Sequence, residues 1–371
     1  MGERMAADGT VGLVVAGMGS VGSSLLAGVE AARRPLAHPF GSLSEAGGAG
    51  RSGDARPLRE LAPLAPLPSL ALGAFELRED DAHRAAVRAG LLPRFLLEEL
   101  KVPLRGLRGM AGARHAPSRL HLAEALADDL RGFAAHHLCA RGVLVCTVPG
   151  PQLPPLRTLR TADDVWKALE DSADEVTPGL VYAAAAAWAG FGFVAAAPDA
   201  SLQAPGLAQL FSLAGLPFAG CGLLGPEAAL REALERVART EGLSLSGMTS
   251  LCTRTARGDA TFGASERSQE IALAPSFAGG ALELSFELRG PLALQLAARA
   301  LDAALLTELA HRAGAAGVQT WMGALFSAPL AAPLAAGKRD QATTYAERRA
   351  LLLAALPPLA AAAAARATAA A

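Results

Sequence analysis

Lysine is nearly absent from this chain: Lys101, Lys167 and Lys338 are the only three among 371 residues, and arginine makes up the rest of its 34 basic side chains. GC-rich coding bias produces such a skew. Arginine grips anions well but cannot release a proton near neutral pH, so chemistry that needs several proton-donating cations is excluded unless these three supply it. Cysteine is sparse too. Cys139, Cys146, Cys221 and Cys252 form no CxxC pair, and none of the seven histidines stands at a zinc-ligand spacing, so no metal site is expected. The thiols read as reduced and structural, as in a cytoplasmic protein.

Neither sign of charge dominates, with 35 acidic residues against 34 basic ones. No general field exists to hold nucleic acid or an anionic membrane, and a small molecule at a local site fits better. No charge-free apolar run reaches the roughly 18 residues of a membrane span, and the alanine-rich residues 360–371 are too weakly hydrophobic to count. The apolar run at 11–17 follows Glu3 and Asp8 and leads into glycines instead of a cleavage site, so it reads as a strand.

With 51% apolar residues, the chain can bury a large core and has the length of two or three domains. Residues 11–17 form a buried parallel strand, glycines follow, and residues 23–34 carry apolar side chains at helical spacing. Residues 40–68, rich in Gly, Pro and Ala, read as an irregular excursion before a strand at 70–77. A helix at 120–138 runs into a strand at 142–147, closed by Pro149-Gly150-Pro151. Helices at 163–169, 180–190 and 205–214, strands at 191–196 and 218–221, and a helix at 227–241 opened by Pro226 continue the alternation. The fold class is therefore α/β, a Rossmann-type doubly wound parallel sheet.

After residue 245 the pattern changes to strands at 248–252 and 282–288 and a helix at 292–313, a second α+β domain for catalysis or oligomerisation. The expected division is a nucleotide-binding domain at 1–247, the second domain at 248–315, C-terminal helices returning to the first at 316–356, and an alanine-rich tail at 357–371. The apolar content of 281–313 calls for a partner surface, so a homo-oligomer, dimer or tetramer, is expected.

Gly17-Met18-Gly19-Ser20-Val21-Gly22 matches GxGxxG between that strand and helix. Gly17 permits the tight turn, Gly19 lets backbone approach a pyrophosphate, and Gly22 lets helix and strand pack, while the helix N-terminus offers N–H groups to the anion. A glycine turn without a ligand is the alternative. Glu76 ends the second strand and is the candidate acceptor for the adenosine ribose hydroxyls, or else an ordinary strand-end acid. It lies well beyond the usual spacing of about 20 residues, so the 40–68 excursion must loop out. Thr147, closing the strand at 142–147, completes the expected cofactor set.

Together these segments resemble the eukaryotic-type inositol-3-phosphate synthases nearly end to end. The glycine loop resembles that family's GWGGNNGS, one residue shorter; Gly41-Ser-Leu-Ser-Glu-Ala46 resembles GSLTQA, and Gly73-Ala-Phe-Glu76 resembles GGWD. Glu175-Val-Thr-Pro178 with Tyr182 resembles EISPSTLY, and the stretch from Phe193 through Pro198 to Leu207 resembles FINGSPQNTFVPGL. Leu301-Asp302 through Leu309 resembles LDLVLLAEL, and Ala328-Pro-Leu330 resembles KAPL. The resemblance implies tightly held NAD, a sugar phosphate such as glucose 6-phosphate as substrate, and cyclisation to an inositol phosphate.

The departures fall where that chemistry should lie. Leu224 and Ala229 stand at two lysines of the family's GGDDFKSGQTK, Glu266 at the lysine of DSK, and Glu347 at that of SKQRAML. The segment 250–259 keeps little of SYNHLGNNDG, CEDS falls on 290–293, and about forty family residues are missing between Asp259 and Glu266. Hydride removal, enolate formation, aldol attack and hydride return need fixed cations for the developing charge and for the phosphate. Arg254, Arg257 and Arg267 could grip a phosphate or be solvated surface charge. Two functions stay open: an NAD-dependent enzyme of the synthase type, or a catalytically silent NAD-binding relative acting as a binding or partner subunit. A simple alcohol dehydrogenase would need a Tyr-Lys pair or a zinc site, and the chain has neither arrangement.

Overall fold

Seven short apolar runs line up side by side in one parallel sheet, in the order β10-β6-β5-β4-β1-β2-β3. These are β1 (Thr10–Ala16), β2 (Leu70–Glu76), β3 (Met110–Ala111), β4 (Cys139–Cys146), β5 (Phe191–Ala195), β6 (Pro217–Gly220) and β10 (Gly317–Val318). The computed structural model describes residues 9–46, 56–112, 114–151, 159–243, 246–255, 265–275, 281–330 and 344–370. From β1 the chain winds outward through β2 to β3, then returns to β4 on the other side of β1 and winds the opposite way. The switch point lies between β1 and β4, which pair in parallel from Val11↔Arg141 to Ala16↔Cys146. Their C-terminal ends open a crevice there.

Both faces of the sheet are covered, which is why β1, β4 and β5 read as continuous apolar runs without alternation. One face carries α1 (Ser20–Arg33) and α10 (Leu292–Arg312) beside α11 (Tyr345–Ala370), with Leu26, Leu305, Leu306 and Leu356 in a shared core. The other carries α5 (Arg119–His136), α6 (Ala162–Glu170), α7 (Pro178–Ala189) and α8 (Pro205–Leu213), around Phe193, Phe211 and Phe218. Three short helices, α2 (Ala82–Ala89), α3 (Arg94–Glu99) and α4 (Lys101–Gly106), connect β2 to β3 and were not anticipated from the sequence, being too short for a clear period.

The second sheet is antiparallel: β7 (Ser246–Thr255), β8 (Ser265–Pro275) and β9 (Ala281–Gly290), in the order β7-β8-β9. The central β8 was not anticipated, because SERSQEIALAP has too few apolar residues to announce a strand. The chain reaches this sheet through α9 (Pro226–Thr240), which packs on β8. The helix α10, placed above in the second domain, belongs to the core of the first. Its Ala300, Leu301, Leu305, Leu306 and Leu309 are buried against the parallel sheet, so that helix needs no partner subunit to cover it. The apolar argument for association then rests on β9 alone.

Part of the 40–68 excursion is ordered by a distant side chain. Asp302 on α10 is fully buried, and its carboxylate accepts hydrogen bonds from Ser42 Oγ at 2.6 Å, Leu43 N at 2.8 Å and Ser44 N at 2.9 Å. Single 3₁₀ turns follow at Leu58–Glu60 and Leu67–Ser69. At the C-terminus, the last of the helices expected within 316–356 runs on to Ala370, because alanine is the strongest helix former and carries it past Pro357 and Pro358. The charge-free stretch between Arg349 and Arg366 stays short of the roughly 18 residues of a membrane span. Taken whole, residues 345–369 are long and apolar enough by length and composition, with a mean hydropathy of 1.6. Leu352, Leu356 and Ala363 nevertheless pack into the core.

Candidate functional site

The glycine loop crosses the mouth of the crevice between β1 and β4. Gly17 has φ +90°, a conformation that side chains with a Cβ rarely adopt, and it turns the chain sharply from strand into loop. Gly22 is needed for packing: a Cβ there would stand 2.1 Å from the Gly17 carbonyl oxygen and 2.9 Å from Val15 Cγ1. Gly19 is different. A Cβ at Gly19 would meet nothing within 4 Å, so its backbone faces open space. It is also the N-cap of α1, which has no side-chain cap and no acid in its first turn. An anion therefore meets helix N–H groups and the positive dipole end with no carboxylate in the helix's own first turn to compete.

Thr147 locks the loop to the opposite strand. Its N–H donates to Ala16 O at 2.9 Å and its hydroxyl to Gly17 O at 2.7 Å, which ties β4 to the first glycine across the switch point. Glu76 ends β2 on the other side. Its Oε2 accepts from Met18 N at 2.8 Å, and its Oε1 from Leu77 N at 2.8 Å and Arg78 N at 3.4 Å. The carboxylate is thus turned back onto the loop and its own backbone.

Between these elements lies a cavity of about 590 Å³, the size of a cofactor site. Gly17, Gly19, Glu76 and Thr147 line it, while Met18, Val21 and Gly22 lie behind the loop and pack inward, and Ser20 begins α1. Its inner wall is apolar, with Leu122 and Leu126 from α5, Val148 and Pro149 after β4, and Val181 from α7. Three arginines, Arg78, Arg88 and Arg119, also line it. Sequence reasoning missed all of these, since nothing in their local pattern marks them, although the EISPSTLY resemblance had drawn in Tyr182. The Tyr182 hydroxyl donates to Gly112 O at 2.9 Å, and burial raises its pKa, so it stays a neutral donor.

The far wall is held by a buried polar knot. Asp199 is 2% exposed; its carboxylate accepts from the hydroxyls of Thr177 and Ser201, each at 2.7 Å, and from Ser201 N at 2.9 Å. Gly150 and Gly179 leave the room, because a Cβ at either would stand 2.1 or 2.5 Å from that carboxyl group. Segments 147–150 and 176–179 are thereby pinned along the cleft. Nearby, burial pushes the Cys146 thiol up to about 12 and raises that of Cys221, so both remain protonated and unreactive.

Of the four positions that the resemblance sets against family lysines, Leu224 and Glu347 make structural contacts within the described residues. Leu224, in the loop between β6 and α9, is buried at 5% exposure, and its N–H donates to Leu325 O at 2.8 Å. Glu347 closes the start of α11: its carboxylate accepts from Thr344 N at 3.0 Å, and Thr344 Oγ1 accepts from Glu347 N at 3.2 Å. Ala229 stands in the first turns of α9, and Glu266 pairs with Arg254 and Gly290 within the antiparallel sheet. The side chains of Ala229, Glu266, Arg254 and Arg267, and the residues Arg257 and Lys338, lie outside the described residues. Lys101 pairs with Glu98 at 3.2 Å on the surface, and Lys167 is exposed on α6. No cluster of three metal-ligating side chains occurs among the described residues.

A family model described as myo-inositol-1-phosphate synthase, a NAD-binding family, matches residues 11–348. An inositol-3-phosphate synthase from Bacteroides thetaiotaomicron is 24% identical over 263 residues. The match covers 66% of this chain and 61% of that relative, so the chain aligns with less than two thirds of that protein's length. The crystal structure of an inositol-3-phosphate synthase from Caenorhabditis elegans superposes with a TM-score of 0.80 at 16% identity, covering 95% of this chain and 86% of that one. A myo-inositol-1-phosphate synthase-related protein from Thermotoga maritima superposes with a TM-score of 0.66 at 15% identity, covering 87% and 94%.

Proposed function

The chain belongs to the myo-inositol-1-phosphate synthase family, and from that premise we propose that it is a NAD-binding member that has lost the family's cyclisation chemistry. NAD suits the cleft: Gly19 presents bare backbone at the start of α1, and the cavity behind it is apolar enough for an adenine ring. A bound nicotinamide would supply reversible hydride acceptance. The chain's own residues would hold the pyrophosphate at α1, fix the loop through Thr147 and Glu76, and exclude water with the apolar wall.

The observation that carries the loss is Leu224. Where the family resemblance requires a cation to stabilise an enolate and grip a phosphate, this chain buries an apolar side chain, and the residue's backbone N–H is held by Leu325 O. Such a site offers no counter-charge, and removing one fixed donor of this kind typically lowers turnover by about 10²–10³. Glu347 adds negative charge at a second such position. A cytoplasmic homo-oligomer that binds dinucleotide, and in which a sugar phosphate is at most a weak ligand, is the reading these features support.

Purified protein should carry NAD(H) or bind it in a titration. Formation of inositol phosphate from glucose 6-phosphate should be absent, or roughly a thousandfold or more below an active synthase. Robust turnover that disappears in Lys338→Ala would overturn the silent reading and show an active site rebuilt around a displaced lysine.

A further inference from the structure

The adenosine end of the cleft carries more positive charge than a dinucleotide with an unmodified ribose needs. Three guanidiniums line the cavity against a single carboxylate, Glu76. That carboxylate has little acceptor capacity left. A carboxylate offers about four lone-pair sites. Here Oε1 takes Leu77 N–H and Arg78 N–H at 2.8 and 3.4 Å, while Oε2 takes Met18 N–H at 2.8 Å and faces an Arg88 nitrogen at 4.0 Å. An acid free to receive the ribose hydroxyls would select for them and repel a phosphate, but three backbone donors already occupy most of this one's acceptor sites and Arg88 lies beside it.

The three arginines are not equivalent. Arg119 donates to the carbonyls of Ala173 and Val176, and Arg88 pairs with Asp80, so both are committed to the protein. Arg78 is exposed, lines the cavity two residues beyond the end of β2, and makes no side-chain ion pair among the described residues. In a doubly wound nucleotide fold, this is the place where a nearby arginine receives a phosphate on the ribose 2′-hydroxyl. A planar guanidinium suits that group, binding two of its oxygens at once.

We infer that this cleft accepts a 2′-phosphorylated dinucleotide, NADP(H), alongside NAD(H), with Arg78 as the residue that holds the extra phosphate. The inference rests on the reading of the cleft as a dinucleotide site.

Isothermal titration of the full chain with NAD⁺ and with NADP⁺ tests this, using wild type and Arg78→Glu. Wild type should bind NADP⁺ at least as tightly as NAD⁺. The variant should weaken NADP⁺ by about tenfold or more, the loss expected for one charge-assisted contact, and leave NAD⁺ within about twofold. Because Arg78 is exposed, the variant should fold, and an unchanged melting temperature would confirm it. NADP⁺ binding more than about tenfold weaker than NAD⁺ in wild type would overturn the inference while leaving the cofactor reading intact. So would a variant that weakens both dinucleotides equally or neither. Failure of both to bind wild type would sink the dinucleotide site itself.

Discussion

Gly19 and Gly22 sit three residues apart in one loop, yet substitution should separate their roles cleanly. A side chain at Gly19 meets open space in the unliganded protein, so Gly19→Val should leave the melting temperature nearly unchanged and abolish dinucleotide binding by calorimetry. At Gly22 the obstacle is the backbone oxygen of Gly17, which cannot rotate away, so Gly22→Ala should destabilise by about 1–3 kcal/mol in urea unfolding. Equal binding by wild type and Gly19→Val would remove the loop from the site. Asp302 gives a third residue-level test. Asp302→Ala would leave the Ser42 hydroxyl and the N–H groups of Leu43 and Ser44 without their acceptor, at a cost of about 3 kcal/mol or more. Destabilisation of a few tenths would mean that the loop at 42–44 finds other partners. The glycine roles were legible because their spacing is local. The Ser42–Asp302 bond joins residues 260 apart, and no local pattern could announce it.

Among the described elements, β9 carries an apolar face that stays partly open within a single chain. Successive strand residues point to opposite faces, so Leu282, Leu284, Phe286 and Leu288 share one side and Glu283, Ser285, Glu287 and Arg289 the other. Leu282 is 42% exposed and the other three apolar residues are only partly buried. A face of that kind on an antiparallel sheet calls for cover, and a second copy of the chain would provide it. Light scattering should report an oligomer at micromolar concentration, and Phe286→Asp should shift it toward monomer. A wild-type chain that is monomeric under those conditions would rule this out. The same argument fails for α10, whose apolar face is satisfied inside the chain, and the sequence could not distinguish the two cases. Both are apolar runs, and only packing tells which one already has a neighbour.

For the molecule as a whole, the partly buried histidine His311 near the end of α10 should make folding sensitive to mild acid. Burial, helped by the positive charges of Arg141 and Arg366, lowers its pKa from 6.5 to about 4, and its Nδ1 is buried without a hydrogen-bond partner. The sign follows from linkage. A histidine harder to protonate when folded contributes stability that is fully present above pH 6.5 and is lost as pH falls toward 4. Up to about 3 kcal/mol is at stake, less whatever residual solvent access screens. His311→Gln should flatten the pH dependence of the urea midpoint across that window, and an unchanged slope would show that other groups set it.

Sequence alone determined the alternation of strand and helix, the doubly wound class and the glycine loop, because each rests on spacing within about 30 residues and on which residue types tolerate a given backbone. It also determined that Leu224 and Glu347 stand where the resemblance sets lysine. Only the tertiary structure decided what those residues do. Glu347 caps its own helix locally through Thr344, whereas the bond from Leu224 N–H to Leu325 O and the turning of Glu76 onto the loop at Met18 join segments far apart in the chain. The convergence of three arginines on one cavity is of the same kind. A side chain's charge is written in the sequence, but its neighbours are chosen by packing, and those neighbours decide whether the charge meets a ligand or the protein itself.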